Sequence, residues 1–273
     1  MKVNIISGSR ADAGLLQPVY AALVADGVKV NALSATDEWQ PCDCVVVLGD
    51  RHEILKCAIE YYMRRTPIAH LCGGDVSLGS YDHAFRDCIS RLAKWHFVTN
   101  ERARDRLMAR GYTDLHLAGS TSIDVIKNHK AVRRIEEPYV LVSYQPETAT
   151  GENRLEEVFM SLPSDKLAVF FTPNDDVGSE QITELINRFC RSGAVRCIVH
   201  DYVPHAYYLD LLAFCDEFIG NSSSIFYEAP FMGVKTRLIG SRQNGRVIPE
   251  GDGNAGLKIA RILKDWHDGI GGR

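Results

Sequence analysis

Short apolar runs recur along this chain at intervals that leave room for about one helix, and nearly every run ends on a glycine or a cluster of polar residues. Residues 2–7, 28–33, 44–48, 67–71, 95–99 and 115–118 make one series, and residues 139–144, 167–172, 195–199, 218–219 and 236–239 make a second. Most of these runs are continuous rather than alternating, the pattern of strands buried on both faces of a parallel sheet. Helical spacing fills intervals between them: residues 54–63, residues 81–93 with Phe85, Ile89 and Leu92 on one face, and residues 101–110. Parallel neighbours need a crossover, and a helix usually supplies it, so the alternation predicts a doubly wound α/β architecture. The charged, proline-containing stretch 133–138 separates the two series and reads as a domain linker, followed much later by an amphipathic helix over 257–266.

In an open parallel sheet, ligands sit at the carboxyl ends of the strands. There the first series offers Arg10 and Asp12, then Gly49-Asp50-Arg51, then Gly73-Gly74-Asp75. The second offers Gln145-Pro146-Glu147-Thr148, Pro173-Asn174-Asp175-Asp176 and His200-Asp201. The glycines after the first strand do not form G-x-G-x-x-G, which argues against a dinucleotide site. The densest cluster is Gly220-Asn221-Ser222-Ser223-Ser224, followed by a pattern over 225–230 that could open a helix. A helix start presents unpaired N–H groups, the serines add hydroxyl donors, and Arg242 and Arg246 follow the next strand with guanidinium forks suited to phosphate oxygens. The plainer alternative is an N-capped helix with surface arginines. For Asp82 and Arg86 the plainer alternative is an i, i+4 surface pair.

The chain has 273 residues, 45% of them hydrophobic, enough for two compact domains. A net charge of −4 argues against a nucleic-acid-binding surface, and no apolar run reaches the roughly 18 residues of a membrane span. The expectation is a cytoplasmic protein that needs no membrane. Eight cysteines in mostly apolar contexts fit free thiols, and the lone Cys42-x-Cys44 pair has no second pair of ligands nearby, so neither a metal nor another cofactor is expected.

Several stretches, in order, carry a resemblance: G-S-R-A-D-A-G-L-L from Gly8, V-L-G-D-R from Val47, H-L-C-G-G-D from His70, Y-D-H-A-F-R from Tyr81, T-P-N-D-D-V-G-S from Thr172, and G-N-S-S-S with G-S-R-Q-N-G-R beyond it. The chain resembles the UDP-N-acetylglucosamine 2-epimerase family, and within it the hydrolysing branch that releases N-acetylmannosamine. The resemblance implies two Rossmann-like domains facing across a cleft, the B-type glycosyltransferase architecture, over residues 1–131 and 138–252, with a terminal helix over 257–270 packing back on the first. It implies a UDP-sugar, UDP-N-acetylglucosamine above all, as partner, and it allows a homodimer. Arg10, Ser222, Ser223 and Arg242 would hold the diphosphate, Glu228 the ribose hydroxyls and Tyr208 the uracil, with Asn174 and Arg51 toward the sugar. Asp50 and Asp75 would carry the proton transfers of an elimination of UDP, with Arg51, Asp82 and Gln145 in the same catalytic group.

The chain departs from the family pattern at Asp75, where a glutamate is usual, and at Gln145 and Asp87, where histidines are. An amide does not titrate near neutral pH, so Gln145 can orient a substrate but not exchange a proton with it. The stretch between Leu33 and Cys42 is also shorter than in family members. Two other readings share the implied fold: a UDP-sugar-dependent glycosyltransferase with a separate acceptor, and a nucleotide-sugar-binding protein without catalysis.

Overall fold

All eleven strands among the described residues run parallel to their neighbours, and they form two separate sheets. The computed structural model describes residues 1–8 and 10–271, apart from the side chains of residues 10, 11 and 270. The chain divides into two compact units, one comprising Met1–Val76, Asp82–Asn128 and the residues from Val247 on, the other Ser77–Tyr81 and His129–Arg246. The α/β class and the parallel sheets expected from the apolar runs are both present.

In the first unit the order is β1 (Lys2–Ser7), α1 (Arg10–Ala25), β2 (Lys29–Ser34), β3 (Cys44–Leu48), α2 (His52–Met63), β4 (Ile68–Leu71), α3 (Asp82–Leu92), β5 (Trp95–Val98), α4 (Glu101–Ala109), β6 (Leu115–Leu117) and α5 (Thr121–Asn128). The strands line up as β2-β1-β3-β4-β5-β6. Every residue of β3, β4 and β5 is buried, which is why those segments contain almost no polar side chains. One face packs Leu16, Val19 and Leu23 of α1 against Val3, Ile5 and Val46; the other packs Ile54, Ala58 and Tyr61 of α2 against Ile6, Val45 and Val47.

No helix bridges β2 and β3. The short connection is instead held flat on the sheet: the Asn4 side chain donates to the Gln40 carbonyl at 2.7 Å, the Cys57 thiol donates to the Ala35 carbonyl at 3.2 Å, and Trp39 meets Tyr61 with ring centroids 6.4 Å apart under the Arg64 guanidinium. Cys44 joins the core on the α1 side while Cys42 packs on the α2 side, so the two thiols do not form a ligand pair. Among the described residues no three His, Cys, Asp or Glu side chains are arranged to hold a metal ion, and no helix is long and apolar enough to cross a membrane.

The second unit runs β7 (Tyr139–Ser143), α6 (Leu155–Ser161), β8 (Leu167–Phe171), α7 (Ser179–Ser192), β9 (Cys197–His200), α8 (His205–Phe214), β10 (Glu217–Gly220), α9 (Ser224–Tyr227) and β11 (Thr236–Leu238), with strand order β11-β10-β7-β8-β9. The last helix, α10 (Ala255–Gly271), belongs to the first unit: Ile259, Ala260 and Leu263 enter the α1-side core, and Trp266 meets Trp95 edge-on with centroids 4.8 Å apart. Its first turn is capped from a distance, since the Ala255 and Gly256 N–H groups donate to the Asp124 carboxyl at 3.0 and 2.7 Å.

The helix expected over 225–230 is cut short. α9 is a single turn, followed by a 3₁₀ turn over Ala229–Met232. Pro230 disfavours a continuing α-helical backbone just before it and removes a donor, and Glu228 sits at φ −121°.

Gly220 closes β10 at φ +139°, and a Cβ there would overlap the Ser143 carbonyl of β7. Gly220→Ala is therefore expected to cost more than about 3 kcal/mol, through backbone strain plus a clash with main chain that cannot yield. A denaturant titration that finds the alanine variant within about 1 kcal/mol of wild type would contradict this placement.

Candidate functional site

Asp50 stands immediately beyond β3, and its carboxylate pairs with the Arg86 guanidinium, which α3 carries into the interior. Arg86 also donates from Nη1 to the Asp75 main-chain carbonyl at 2.9 Å. A buried guanidinium requires both a counter-charge and acceptors, and here the loops after β3 and β4 supply them. The plainer alternative of an exposed Asp82–Arg86 pair does not hold for Arg86, which is buried. The two residues are four apart on α3, but the apolar stripe formed by Ile89 and its neighbours rolls Arg86 inward, to 2% exposure.

The Asp75 side chain is buried as well. Its Oδ1 accepts from the Thr99 hydroxyl at 2.7 Å and from Asn100 Nδ2 at 3.5 Å, while Asn100 Oδ1 accepts from the Ala103 N–H and caps α4. Arg106 of α4 donates to the Gly74 carbonyl, and burial holds its pKa below the usual arginine value. Asp75 is thus fixed by donors on one oxygen and by the backbone contact to Arg86. Arg51 leads into α2 and pairs with Glu53 at 3.0 Å. Asp82 opens α3, half-buried. Arg10 begins α1, and its side chain lies outside the described residues.

His70 of β4 explains how the Asp50 turn is held. Its Nε2 lies 2.7 Å from the Gly49 carbonyl and its Nδ1 3.1 Å from the Ser90 hydroxyl. A carbonyl can only accept, so Nε2 carries the proton and Nδ1 accepts from Ser90. Complete burial pushes the His70 pKa down to about 3, which keeps the ring in this neutral form. His96, its register partner on β5, is pushed down to about 4 by burial.

In the second unit, Gln145 follows β7 and its side chain is engaged: Oε1 accepts from the Asn174 N–H at 2.9 Å and Nε2 donates to the Ser143 hydroxyl at 3.4 Å. Asn221 reads the Gln145 backbone in both directions, accepting its N–H at 2.6 Å and donating to its carbonyl at 2.9 Å. This ties the end of β7 to the end of β10. Arg242 is nearly buried, donating from Nη1 to the Pro146 carbonyl and from Nη2 to Asp176 at 3.1 Å. Ser222 Oγ accepts from the Ser224 N–H at 3.3 Å, and Ser223 leads into α9 with no side-chain cap. Glu228 is buried at the end of that turn, 3.6 Å from His205 Nε2. Tyr208 packs edge-on to Phe171, centroids 5.2 Å apart, and nearly parallel to His205 at 6.3 Å; burial and then the charge of Glu228 raise its phenol well above the usual value. Asn174 is exposed.

The arrangement therefore has two parts. The first unit gathers Asp50, Arg86 and Asp75; the second gathers Gln145 with Asn174, and the serine turn with Glu228 and the Tyr208 ring, at the carboxyl ends of their strands. A family profile described as UDP-N-acetylglucosamine 2-epimerase matches residues 26–266. The chain belongs to the UDP-N-acetylglucosamine 2-epimerase family. It is 32% identical over 222 residues to the GDP/UDP-N,N'-diacetylbacillosamine 2-epimerase (hydrolyzing) of Campylobacter jejuni, covering 75% of this chain and 58% of that one. It is 31% identical over 238 residues to the corresponding Legionella pneumophila UDP-N,N'-diacetylbacillosamine 2-epimerase (hydrolyzing), covering 81% and 62%. The chain thus spans about three-fifths of the length of these curated relatives. Among solved structures, a Methanocaldococcus jannaschii UDP-GlcNAc 2-epimerase in complex with UDP-GlcNAc and UDP superposes with a TM-score of 0.79 at 16% identity, over 97% of this chain and 99% of that one. At that identity the likeness speaks for the fold.

Three residues of this epimerase-family chain play parts that their sequence positions did not reveal. Arg86 was visible as the end of the Y-D-H-A-F-R motif and as half of a possible surface pair, His70 as the start of its glycine motif, and Asn221 as one polar residue in a serine turn. Each acts on a partner in a loop after another strand.

The two buried histidines give the fold a pH dependence. Their folded-state pKa values lie below the 6.5 of a free imidazole, so the unfolded chain binds more protons between about pH 4 and 6.5. Their stabilising share is complete above pH 6.5 and is lost as the pH falls through that window. For His96 the loss by pH 5 is about 1–2 kcal/mol. Urea titrations at pH 7.5 and 5 are expected to show a smaller pH dependence for His96→Phe than for wild type; equal dependence would contradict it.

Proposed function

We propose that this protein acts on a UDP-linked 2-acetamido sugar as a hydrolysing 2-epimerase, eliminating UDP and releasing the free sugar inverted at C2. The observation that carries this reading is the Asp50–Arg86 pair at the carboxyl end of β3, with Asp75 held on the same guanidinium. The buried guanidinium sets the position of the Asp50 carboxylate before the substrate arrives and keeps it ionised, ready to accept the C2 proton.

In this account Asp50 takes the C2 proton, the bond between C1 and the diphosphate oxygen breaks, and UDP leaves with the electron pair. Water then adds across the resulting C1–C2 double bond, placing a hydroxyl on C1 and a proton on the opposite face of C2. Asp75 and Asp82 are the carboxyl groups assigned to that second proton and to water, and Arg51 and Asn174 are assigned to the sugar. Gln145 orients the substrate through its amide. The leaving diphosphate is stabilised by Ser222, Ser223, Arg242 and Arg10, the ribose by Glu228 and the uracil by the Tyr208 ring. The relatives named as diacetylbacillosamine 2-epimerases support a 2-acetamido sugar as substrate. The compact stretch after β2 and the aspartate at position 75 bear on which sugar is preferred.

Asp50→Asn removes the base while keeping the shape of the side chain, and because it also takes the counter-charge from Arg86 the fold of the variant is checked first by circular dichroism. The expectation is a loss of UDP release of at least about a hundredfold, with UDP affinity changed by less than about twofold. UDP release measured by a coupled assay and UDP affinity by calorimetry check both halves. Release that requires an added acceptor sugar, or an Asp50→Asn variant that releases UDP as fast as wild type, would sink the epimerase reading.

A further inference from the structure

Glu147 is the most completely buried carboxyl of the second unit, at 1% exposure, and the reaction described above makes no use of it. It sits two residues beyond Gln145 and bonds across 94 residues of sequence to the loop that follows β11. Its Oε2 accepts from the Ser241 N–H at 2.9 Å and from the Ser241 hydroxyl, and its Oε1 accepts from the Tyr144 hydroxyl at 3.3 Å. The loop is shaped to receive it. Gly240 lies at φ +94°, and a Cβ there would overlap Glu147 Oε1, so the carboxyl occupies the space that any other residue's side chain would fill.

The next residue of that loop is Arg242, and its guanidinium donates back to the carbonyl of Pro146, the residue before Glu147. Residues 146–147 therefore grip residues 241–242 three times, through the backbone N–H and the hydroxyl of Ser241 and through the side chain of Arg242. A guanidinium on a surface loop samples many rotamers; one that follows an anchored Ser241 and itself bonds the Pro146 carbonyl and Asp176 does not, and the ordering is done before any ligand arrives.

We propose that Glu147 is a positioning residue for Arg242, fixing the guanidinium where it meets the diphosphate of a uridine nucleotide. The inference rests on the reading that Arg242 contacts the diphosphate. Glu147 does not touch substrate; it acts through Ser241 and Arg242. Its effect is therefore confined to ligands that carry the second phosphate.

Calorimetric titration of the full chain with UDP and with UMP separates the cases. Wild type is expected to favour UDP. Glu147→Gln keeps the volume and is expected to weaken UDP binding about tenfold, through the loss of charge-assisted hydrogen bonds, and UMP binding less than about twofold. Ser241→Ala, which removes the hydroxyl alone, is expected to shift the same ratio in the same direction by a smaller factor, and it carries the test if the Glu147 variant does not fold. Adding Glu147→Gln to Arg242→Ala is expected to cost nothing further for UDP, because the positioned group is already gone. An unchanged UDP-to-UMP ratio in the variants of a wild type that prefers UDP would overturn the positioning role alone, as would an equal loss for both nucleotides, the sign of a general structural defect. A wild type with no preference for UDP would overturn the diphosphate reading and this inference with it.

Discussion

A guanidinium cannot be taken out of water alone, and the first unit is arranged around meeting that requirement for Arg86. Its counter-charge comes from the turn after β3 and its neutral acceptor from the turn after β4, so one side chain from α3 fixes two strand-end loops at once. Breaking such a pair by removing one partner typically costs about 3–5 kcal/mol, because the other is left buried and uncompensated. The loops that hold Asp50 and Asp75 are consequently tied to α3 and to each other. His70 adds a second restraint on the same turn through Nε2–H, and its neutral ring also accepts from Ser90 of α3 at Nδ1.

The second unit ties its strand-end loops together with a nearly buried pair of its own, Arg242 with Asp176, and with amide and backbone contacts. β10 lies beside β7 although Gln145 and Asn221, at their ends, are 76 positions apart in the chain. The polar groups that close those ends are matched to each other: Asn221 to the backbone of Gln145, Glu147 to the loop after β11. Gln145, directly after β7, presents an amide that does not titrate, and Arg242, bonded to the next residue Pro146, supplies positive charge. That suits a surface whose task in the proposed reaction is to hold an anion and orient a sugar, while proton transfer falls to the carboxyl groups of the first unit.

The strands were legible in the sequence because a parallel sheet covered on both faces demands unbroken apolar segments, and runs such as Val45-Val46-Val47 serve little else. Site positions were legible for a related reason: polar residues directly after such runs must lie at the carboxyl edge. The inward turn of Arg86 was not legible, since an aspartate four residues before an arginine looks the same on an exposed face as on a buried one, and the deciding contacts come from the loops after β3 and β4. Nor was the brevity of α9, where Pro230 overrode a pattern that otherwise favoured a longer helix. The Glu147–Ser241 and Asp124–Ala255 contacts bridge 94 and 131 residues, and they depend on a strand order and a returning helix that no local pattern encodes.

The central claim, that C2 is deprotonated and reprotonated as UDP departs, is tested most directly by running the reaction in D2O with UDP-N-acetylglucosamine and with UDP-N,N'-diacetylbacillosamine and examining the released sugar by NMR and mass spectrometry. The account predicts that one of these substrates yields a free sugar inverted at C2 and carrying one deuterium there. A released sugar with its original C2 configuration and no deuterium at that carbon would show simple cleavage of the C1–oxygen bond and contradict it.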